Sequence, residues 1–428
     1  MRTRTRANIA NQNKKFTEKI INNNPHIAVL LSGGVDSSVV VYQLVSQGYK
    51  PDCFYIRIAP QEEASPLSDR EGQGVSLDLD CTAEEDIEMA TAVAHRYGLS
   101  LEVIDCHKEY WEQVTKYTME KVKAGFTPNP DVMCNRLIKF GAFHEKKGHE
   151  YDLIATGHYA QTETDEQGRK WLCTSPDPVK DQTDFLAQIY QWQLQKAIFP
   201  IGGMMKEEVR QIAEREHLIN AKRKDSQGIC FLGKINYNDY VKKYLGENPG
   251  LVIDIETGKK IGMHKGLWFH TIGQRHGLGF GGGPWFAVKK NIKKNILFVS
   301  RGYNPESAYR QEFKVHDINW LTAPIWEVQE FKGGQRVQKF KDVQEVPVNV
   351  PVTIKIRHTS DYIPATISPL TSGDATEGNS AKHLSTDWSA GSFLIRSSQP
   401  IHGVAPGQFC TIYDADHHRC YGSGEIFL

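Results

Sequence analysis

The first half of the chain alternates short apolar runs with segments of helical periodicity. Four β-rich apolar runs predict strands at residues 26–31, 52–58, 101–106 and 151–156. Between them, apolar residues recur at helical spacing, and the predicted helices stop near Gly48, Gly98 and Gly125. Strands that alternate with helices in this way predict a parallel, doubly wound α/β sheet.

The pattern changes after about residue 220, where short β-type runs are separated by glycines. Alternating runs follow from about residue 313, which indicates a small β domain and then a β-barrel or sandwich. We therefore divide the chain into an extension, expected to be disordered, an α/β domain, a linker with a central domain, and a C-terminal β domain. Their predicted bounds are 1–24, 25–221, 222–312 and 313–428.

Composition narrows the class of protein. Apolar residues make up 39% of the 428 residues, which excludes a disordered chain, and no apolar run is long enough for a transmembrane helix. Eight irregularly spaced cysteines without a C-x-x-C pair indicate free thiols in a reducing compartment, so we expect a cytoplasmic protein. An organelle matrix is the alternative localisation, because Arg2, Arg4 and Arg6 could belong to a transit peptide.

The net charge is zero, yet the charges are segregated along the sequence. Residues 201–300 carry 17 basic and 9 acidic side chains. Such a surplus can present one face to the phosphates of a nucleic acid, or it can simply be a solvated surface. Charge alone does not decide between the two.

The strongest local motif is SGGVDSS, Ser32 to Ser38, which lies between a predicted strand and a predicted helix. Gly33 and Gly34 permit a tight turn, and the positive end of the helix reaches the same point. This pattern predicts a phosphate-binding loop. No lysine follows the second glycine, so the loop is not a Walker A motif, and it resembles the pyrophosphate loop of ATP pyrophosphatases.

A second motif, TPNPDVMCN, contains Cys134 behind a rigid Pro-x-Pro stretch. Asp131 is expected to cap the helix that follows, which would place Cys134 in its first turn. A helix N-terminus lowers the pKa of a thiol and favours a nucleophile, whereas most free cysteines are simply buried. The stretch alone leaves both interpretations open.

A second cysteine, Cys230, lies between Gly228 and Gly233, close behind the basic run Lys222 to Lys224. Positive neighbours favour a thiolate, although the stretch by itself favours a partly buried loop cysteine. Two further stretches could face a ligand at the edge of the sheet: Gly157 and His158 after a strand, and Lys180 at the start of a predicted helix.

Two other patterns are set aside. The glycines of residues 277–282 match G-x-G-x-x-G, but they do not open a helix after a strand, so we expect no dinucleotide site. Cys410, His417, His418 and Cys420 are typical of a hairpin tip as well as of a zinc site. We expect no metal centre there.

Taken together, the motifs resemble one family, the tRNA-specific 2-thiouridylases. The matches are SGGVDSS, CTAEED, TPNPDVMCN, ATGHYA, KDQTDFLAQ, FPIG, KDSQGICFLG, HTIGQRHGLG and APGQ, which occur in this order over residues 26–425. The N-terminal extension, the 59–80 stretch and the 368–391 insertion depart from the family pattern without touching a motif.

The resemblance implies an adenine nucleotide alpha hydrolase-like PP-loop domain, a small central tRNA-binding domain and a C-terminal β-barrel, all three of which would contact the tRNA. It implies catalytic roles for Asp131, Cys134 and Cys230, with Cys230 carrying a persulfide. The ATP site it implies comprises Leu30, Leu31, Ser32, Gly33, Gly34, Val35, Asp36, Ser37, Ile56 and Gly157. The tRNA contacts it implies are Asn129, Pro130, Asp131, His158, Lys180, Asp181, Gln182, Arg357, His358 and Gln408.

The family chemistry would transfer AMP to the 2-carbonyl oxygen of the wobble uridine, and sulfur would then replace that oxygen. Cys134 would cleave the persulfide of Cys230, freeing sulfide or leaving a disulfide. We expect ATP with Mg²⁺ (oriented by Asp36), tRNA, a cysteine desulfurase or sulfur-relay protein as sulfur donor, and a monomer. A PP-loop ligase that forms amide or ureido bonds, which needs neither cysteine, and a non-catalytic tRNA-binding protein are the alternatives.

Overall fold

The computed structural model describes residues 25–58, 83–225, 237–302, 306–325, 331–332, 335–336, 349–370 and 391–428. These residues divide into two compact units. The first unit contains the described residues up to 110 together with 135–183 and 192–225. The second contains 111–134, 184–191 and the described residues from 237 onward.

The first unit is built on a five-stranded parallel sheet in the order β3-β2-β1-β4-β7. Its strands are β1 (Ile27–Leu30), β2 (Asp52–Arg57), β3 (Leu101–Asp105), β4 (Leu153–Ala155) and β7 (Ala197–Ile198). An antiparallel hairpin joins β5 (Gln161–Thr164) to β6 (Lys170–Cys173). The strand order reverses between β1 and β4, and ligands of such sheets bind at this switch point.

Helices connect these strands. In chain order they are α1 (Val35–Ser46), α2 (Ala83–Arg96), α3 (His107–Tyr110), α4 (Lys116–Lys123), α5 (Pro130–Cys134), α6 (Phe143–Lys146), α7 (Thr183–Leu186), α8 (Gln191–Lys196), α9 (Lys206–Arg215) and α10 (Tyr237–Leu245). Val39, Val40 and Val41 of α1 are fully buried, so this helix is locked into the core that surrounds β1. A rigid α1 fixes the position of the loop that precedes it.

Two π-helical segments, Trp111–Thr115 and Asn135–Ala142, interrupt the α-helical pattern. In the second, the buried amide of Gln193 donates to the carbonyls of Arg136 (2.8 Å) and Phe140 (3.0 Å). Gly141 also has no room for a side chain, since a Cβ would stand 2.9 Å from the Arg136 oxygen. The inserted amide accounts for the wider turn, because it satisfies carbonyls that a regular helix would bond internally.

The second unit contains a four-stranded sheet and a closed barrel. The sheet has the order β10-β11-β8-β9, formed by β8 (Gly250–Asp254), β9 (Lys260–His264), β10 (Trp285–Asn291) and β11 (Ile296–Arg301). The barrel runs β12-β17-β16-β15-β18-β19 and closes because β12 also pairs with β19. Its strands are β12 (Tyr309–Trp320), β15 (Val350–Lys355), β16 (Ile363–Pro369), β17 (Ser392–His402), β18 (Phe409–Tyr413) and β19 (Arg419–Phe427), and a minor hairpin joins β13 (Phe331–Lys332) to β14 (Gln335–Arg336).

The predicted fold class is confirmed: a doubly wound parallel sheet is followed by a small β domain and a barrel. The four predicted strands are present, each shortened by one to three residues. Residues 277–282 form no helix start, and Cys410 and Cys420 lie on the two strands of a hairpin, as expected. No helix in the described ranges has the length and apolar character needed to cross a bilayer.

Several predicted features lie outside the described residues. They are the extension 1–24, the 59–80 stretch, the loop with Cys230, and residues 371–390 of the 368–391 insertion.

Candidate active site

The loop between β1 and α1 leads into a helix start at which a glycine is the cap. Gly34 is the N-cap residue, with extended backbone angles, and no side chain of the described residues bonds to the first amides of α1. The first-turn amides of a helix carry partial positive charge and have no partner within the helix. This start of α1 is therefore suited to bind an anion, as the SGGVDSS motif predicts.

Serine hydroxyls hold the loop in shape. Ser37 Oγ accepts the amide of Ser32 (3.2 Å) and donates to the carbonyl of Gly34 (3.1 Å). Ser38 Oγ donates to the same carbonyl at 2.9 Å. The loop is thus organised by its own side chains before any ligand arrives, which reduces the entropic cost of binding.

Residues distant in the sequence brace the loop from outside. Asn220 Nδ2 donates to the carbonyl of Gly33 and to Ser38 Oγ, both at 2.8 Å. Arg223 donates to the same carbonyl and forms an ion pair with Asp86. Gly33 has φ +74°, and a Cβ there would collide with the carbonyl of Asp86, so only glycine fits. Arg223, one of the three cations that precede Cys230 in the sequence, thus donates to the loop, while Cys230 lies outside the described residues.

The other predicted ATP residues surround this loop. Gly157 follows β4, and a Cβ on it would stand 2.9 Å from the amide nitrogen of Ser37, so its backbone packs directly on the loop. Ile56 lies near the carboxyl end of β2, where the amide of Leu31 donates to the carbonyl of Phe54 (2.8 Å). The structure brings these predicted residues together at the switch point of the sheet.

Beside the loop, Asp36 belongs to a network of charges. Its carboxylate accepts hydrogen bonds from Lys206 Nζ (2.6 Å) and from the hydroxyl of Tyr159 (2.9 Å). Lys206 also pairs with Asp225 at 2.8 Å. Asp36 is the carboxylate proposed to orient Mg²⁺ or pyrophosphate, and Lys206 brings a cation to the same place.

Asp225 is the centre of this network. Lys180, Lys206 and Arg210 all pair with its carboxylate. Burial alone would raise the pKa of Asp225, but the hydrogen bonds from Lys180 and Lys206 hold that pKa well below its ordinary value. Three cations share one carboxylate, so positive charge remains for an incoming phosphate.

Most of the residues predicted to contact tRNA in this unit make hydrogen bonds within the protein. Asp181 is buried and accepts the amide of Ser175 (2.9 Å) and the hydroxyl of Thr183 (2.8 Å). Gln182 accepts the amide of Tyr159 at 3.0 Å. His158 is buried between Thr156 and Lys139. Its pKa is lowered, mainly by burial and to a smaller extent by the charge of Lys139, so its ring is neutral. Lys180 and Gln182 are the part-exposed members of the group.

The cysteine motif differs from its prediction at the cap. The helix α5 begins at Pro130, and Asn129 caps it: Asn129 Oδ1 accepts the amides of Asp131 (3.1 Å) and Val132 (3.3 Å). The prediction that Asp131 caps this helix is wrong, because the proline, which has no amide to lose, takes the first helical position. Cys134 is the fifth residue of α5 and is 3% exposed.

The remaining predicted tRNA residues lie in the second unit. Arg357 donates to the carbonyls of Ile272 (3.1 Å) and Gly403 (2.5 Å), and burial lowers its pKa. His358 is exposed and bonds to Asp184 at 3.2 Å. Gln408 closes a turn by accepting the amide of Ala405. Among these three, His358 is the exposed side chain.

Other cysteines have the properties of core residues. Burial raises the pKa of Cys53 and of Cys106 to about 12, and it also raises that of Cys410. Thiols with such pKa values stay protonated at neutral pH and do not act as nucleophiles.

Sequence reasoning missed the residues that brace and charge the loop: Tyr159, Lys206, Asn220, Asp225 and Asp177, whose carboxylate accepts the backbone amide of Lys206 (2.9 Å). They come from four separate stretches of chain, so no local motif joins them. Two signals in the sequence could have pointed to these residues. Lys206 opens a helix with a Met205–Glu208 capping arrangement, and Asp225 belongs to the KDSQG stretch already singled out.

Three family models match successive parts of the chain. Residues 25–234 match the model of the tRNA methyl transferase HUP domain, 238–301 that of the tRNA methyl transferase PRC-barrel domain, and 379–426 that of the aminomethyltransferase beta-barrel domain. A tRNA-specific 2-thiouridylase of Bacteroides thetaiotaomicron is 51% identical over 94% of this chain and 99% of its own length. The chain belongs to the tRNA-specific 2-thiouridylase family.

Two further relatives support the assignment. A 2-thiouridylase of Bacteroides fragilis is 52% identical over 94% of this chain and 99% of its own length, and one of Porphyromonas gingivalis is 50% identical over 94% and 98%. The likeness spans the loop, the cysteine motif and both β domains. Membership in the 2-thiouridylase family therefore concerns the whole described chain and not the PP-loop alone.

Proposed function

We propose that this chain is a tRNA-uridine 2-sulfurtransferase that uses ATP and a persulfide to convert the wobble uridine of tRNA into 2-thiouridine. Family membership supports the reaction class. The uncapped start of α1 beside Lys206 carries the proposal, because it offers the amides and the cation that a triphosphate needs.

In the first step, the 2-carbonyl oxygen of uridine attacks the α-phosphorus of ATP, and pyrophosphate leaves. The helix start would bind the phosphates, and Lys206 would neutralise charge that develops on them. Asp36, whose side chain is 31% exposed, would hold the Mg²⁺ that accompanies ATP. Magnesium would supply further neutralisation of phosphate charge.

In the second step, Cys134 attacks the inner sulfur of a Cys230 persulfide. The sulfur–sulfur bond breaks, a Cys134–Cys230 disulfide forms, and the outer sulfur becomes the nucleophile at the uridine C2. AMP leaves with the former carbonyl oxygen, and a dithiol such as dithiothreitol reduces the disulfide for the next turnover. We propose a cysteine desulfurase or sulfur-relay protein as the source of the persulfide.

The wobble base must leave its stack to reach Cys134, as is usual for enzymes that act on a base. We propose that Asn129, Pro130 and Asp131 meet this base, and that Lys180 and His358 contact the tRNA directly. The buried His158 and Asp181 and the half-buried Gln182 and Arg357 would then support those contacts from behind.

The test combines purified protein, ATP, Mg²⁺, dithiothreitol, a persulfide donor and unmodified tRNA, with nucleosides read by mass spectrometry. We expect 2-thiouridine together with AMP. ADP as the product would exclude the pyrophosphatase step, and tRNA binding without any nucleotide turnover would favour a non-catalytic protein.

A further inference from the structure

The π-helical segment Asn135–Ala142 carries a lysine to the edge of the parallel sheet. Lys139 lies on this segment, five residues after Cys134 in the sequence, and it is half-buried between two fully buried chain neighbours. The Gln193 amide that widens the helix also fixes the point from which Lys139 projects. Turns of this kind occur often at functional sites, so the lysine needs an explanation.

A buried histidine holds the ammonium of Lys139. His158 Nε2 lies 3.5 Å from Lys139 Nζ, and His158 Nδ1 lies 2.8 Å from the hydroxyl of Thr156. An ammonium can only donate, so Nε2 of the neutral ring accepts, and Nδ1 carries the proton that it donates to Thr156. His158 is 7% exposed and packs edge-on against the ring of Phe199. These contacts fix the direction of the Lys139 side chain.

The charge of Lys139 has no counter-charge among the described residues. Lys206, the other lysine near the loop, is shared between Asp36 and Asp225. Lys139 pairs with no carboxylate in the part of the chain that the structure describes, and its partner His158 is uncharged because burial lowers the pKa of that ring. A half-buried ammonium without a counter-charge costs desolvation energy, which a bound anion would offset.

The residues that follow β4 place Lys139 next to the phosphate-binding loop. Gly157 packs on the first turn of α1. The next residue, His158, holds Lys139. Tyr159 follows, and its hydroxyl donates to the carboxylate with which Lys206 pairs. Two lysines therefore reach the switch point of the sheet, and Lys139 is the one that no described carboxylate neutralises.

We propose that Lys139 is a further catalytic residue, whose ammonium contacts the non-bridging oxygens of the α-phosphate of ATP, and that His158 is its positioning residue. This inference rests on the proposed function. In the transfer of AMP, the uridine oxygen forms a bond to the α-phosphorus. The bond from that phosphorus to pyrophosphate breaks, and pyrophosphate leaves with the electron pair. Lys139 neither gains nor loses a proton, and it stabilises the negative charge on the α-phosphate oxygens.

The place of Lys139 favours the α-phosphate over the other two. Asp36 and Lys206 lie where Mg²⁺ and pyrophosphate are expected. Lys139 belongs to the segment that follows the motif proposed to meet the uridine. The α-phosphorus is bonded to both groups in the transition state, so a cation that neighbours the loop and follows the uridine motif suits it.

The test compares Lys139→Met, which removes the charge at similar length, with Lys139→Arg, which keeps a cation. The matched control is Lys196→Met. Lys196 is also half-buried and also held by an uncharged acceptor, the carbonyl of Tyr151 (2.7 Å), but at the amino end of β4. Thermal melting of every variant checks the fold.

The measurement is pyrophosphate release in a single turnover at saturating ATP and tRNA, together with the Kd for tRNA. We expect Lys139→Met to slow the release about 10²- to 10³-fold, as the loss of one fixed donor to a transition state does. The Kd for tRNA should stay within about twofold, since the lost contact is made to ATP. Lys139→Arg should recover part of the rate, and Lys196→Met should behave like the wild type. Wild-type release from Lys139→Met overturns the inference.

A change in ATP tests the contact itself. Sulfur in place of one non-bridging α-oxygen gives two diastereomers, and sulfur accepts hydrogen bonds poorly. The wild type should prefer one diastereomer, and this preference should fall about tenfold in Lys139→Met, because a hydrogen bond to a charged group is worth about that factor. A merely structural role for Lys139 would leave the preference unchanged, and that result would contradict the inference.

The positioning role of His158 has its own variant. His158→Phe keeps a ring against Phe199 and removes the acceptor for Lys139. It should slow pyrophosphate release about tenfold and add nothing to the loss in Lys139→Met, since the two residues act as one unit. Additive losses would show that His158 acts apart from Lys139.

Two further outcomes are distinct. If Lys139→Met weakens tRNA binding but releases pyrophosphate normally at saturating tRNA, Lys139 contacts the RNA backbone and the inference is wrong. If the wild type releases no pyrophosphate with ATP and tRNA, the proposed function fails, and this inference fails with it.

Discussion

Two helix starts in this molecule have opposite designs. At α1 the cap is Gly34, and in the part of the chain that the structure describes no side chain bonds to the first amides. At α5, Pro130 has no amide, and the amides of Asp131 and Val132 both bond to Asn129 Oδ1. One helix start is open to an anion and the other is closed by its own residues.

Both motifs are turns that lead into a helix, but the difference between their caps gives them separate tasks. An open start can bind phosphates, because its amides gain partners only when a ligand arrives. A closed start cannot, but it holds the helix rigid, so that Cys134, one position beyond the first turn, is held in place. Substrate activation and sulfur chemistry are thus expected to depend on different kinds of residue.

The largest effect is expected at the closed start, from Cys134→Ser. Thiolation should be lost entirely, because a hydroxyl cannot break the persulfide bond, while ATP and tRNA binding persist.

Cys230→Ser should also abolish thiolation, and the double variant should be no worse than either single one, since members of one catalytic unit are not additive. Cys106→Ala is the matched control, because this buried thiol has a pKa of about 12. Normal 2-thiouridine yield from Cys134→Ser would remove it from the mechanism.

At the open start, Lys206→Met should lower the rate of ATP cleavage about 10²- to 10³-fold. A charged hydrogen bond to the reacting phosphates is lost, and Asp36 loses its cation and repels them, whereas Asp225 keeps Lys180 and Arg210. The exposed Lys50, which follows the far end of α1, gives the control variant Lys50→Met. Pyrophosphate release is the measurement, and wild-type release from Lys206→Met would show that the network is only structural.

The sequence predicts the phosphate-binding loop at the open start but not the charged network beside it. SGGVDSS between an apolar run and a helical repeat predicted the loop, because tight turns and helix starts have local signatures. The network around Asp36 was not predicted, since Lys206 and Asp225 come from distant stretches and only the folded sheet brings them together.

The cap of α5 shows a finer limit of prediction from the sequence. Asp131 and Asn129 are both good capping residues, and the sequence alone favoured the aspartate. The proline between them decides the matter, because it fits best as the first helical residue and so makes Asn129 the cap.

A third variant converts the open start into a closed one. Gly34→Asp fits sterically, since a Cβ there meets only Ser32 Oγ at 3.5 Å, and its carboxylate would cap the helix. Helix stability should rise by a few tenths of a kcal/mol, while ATP affinity falls about tenfold or more through repulsion. Gly34→Asn places the same cap without charge and should lose less. Equilibrium binding of ATP and thermal melting distinguish the two, and unchanged ATP affinity in Gly34→Asp would place the phosphates elsewhere.

The smallest effect is expected from opening the closed start. Asn129→Ala removes the cap of α5 and should cost about 1 kcal/mol of unfolding free energy. Asn129→Asp retains an acceptor oxygen and should recover that stability. Urea unfolding of both variants is the measurement, and equal stability of Asn129→Ala and the wild type would show that the cap is not what holds α5.

The central claim is that the open helix start serves transfer of AMP to the uridine oxygen before sulfur arrives. The most direct measurement uses tRNA labelled with ¹⁸O at the 2-carbonyl of the wobble uridine, with mass spectrometry of the released nucleotide. The account predicts one ¹⁸O atom in AMP for each 2-thiouridine formed. Label found in water or inorganic phosphate, with unlabelled AMP, would contradict it.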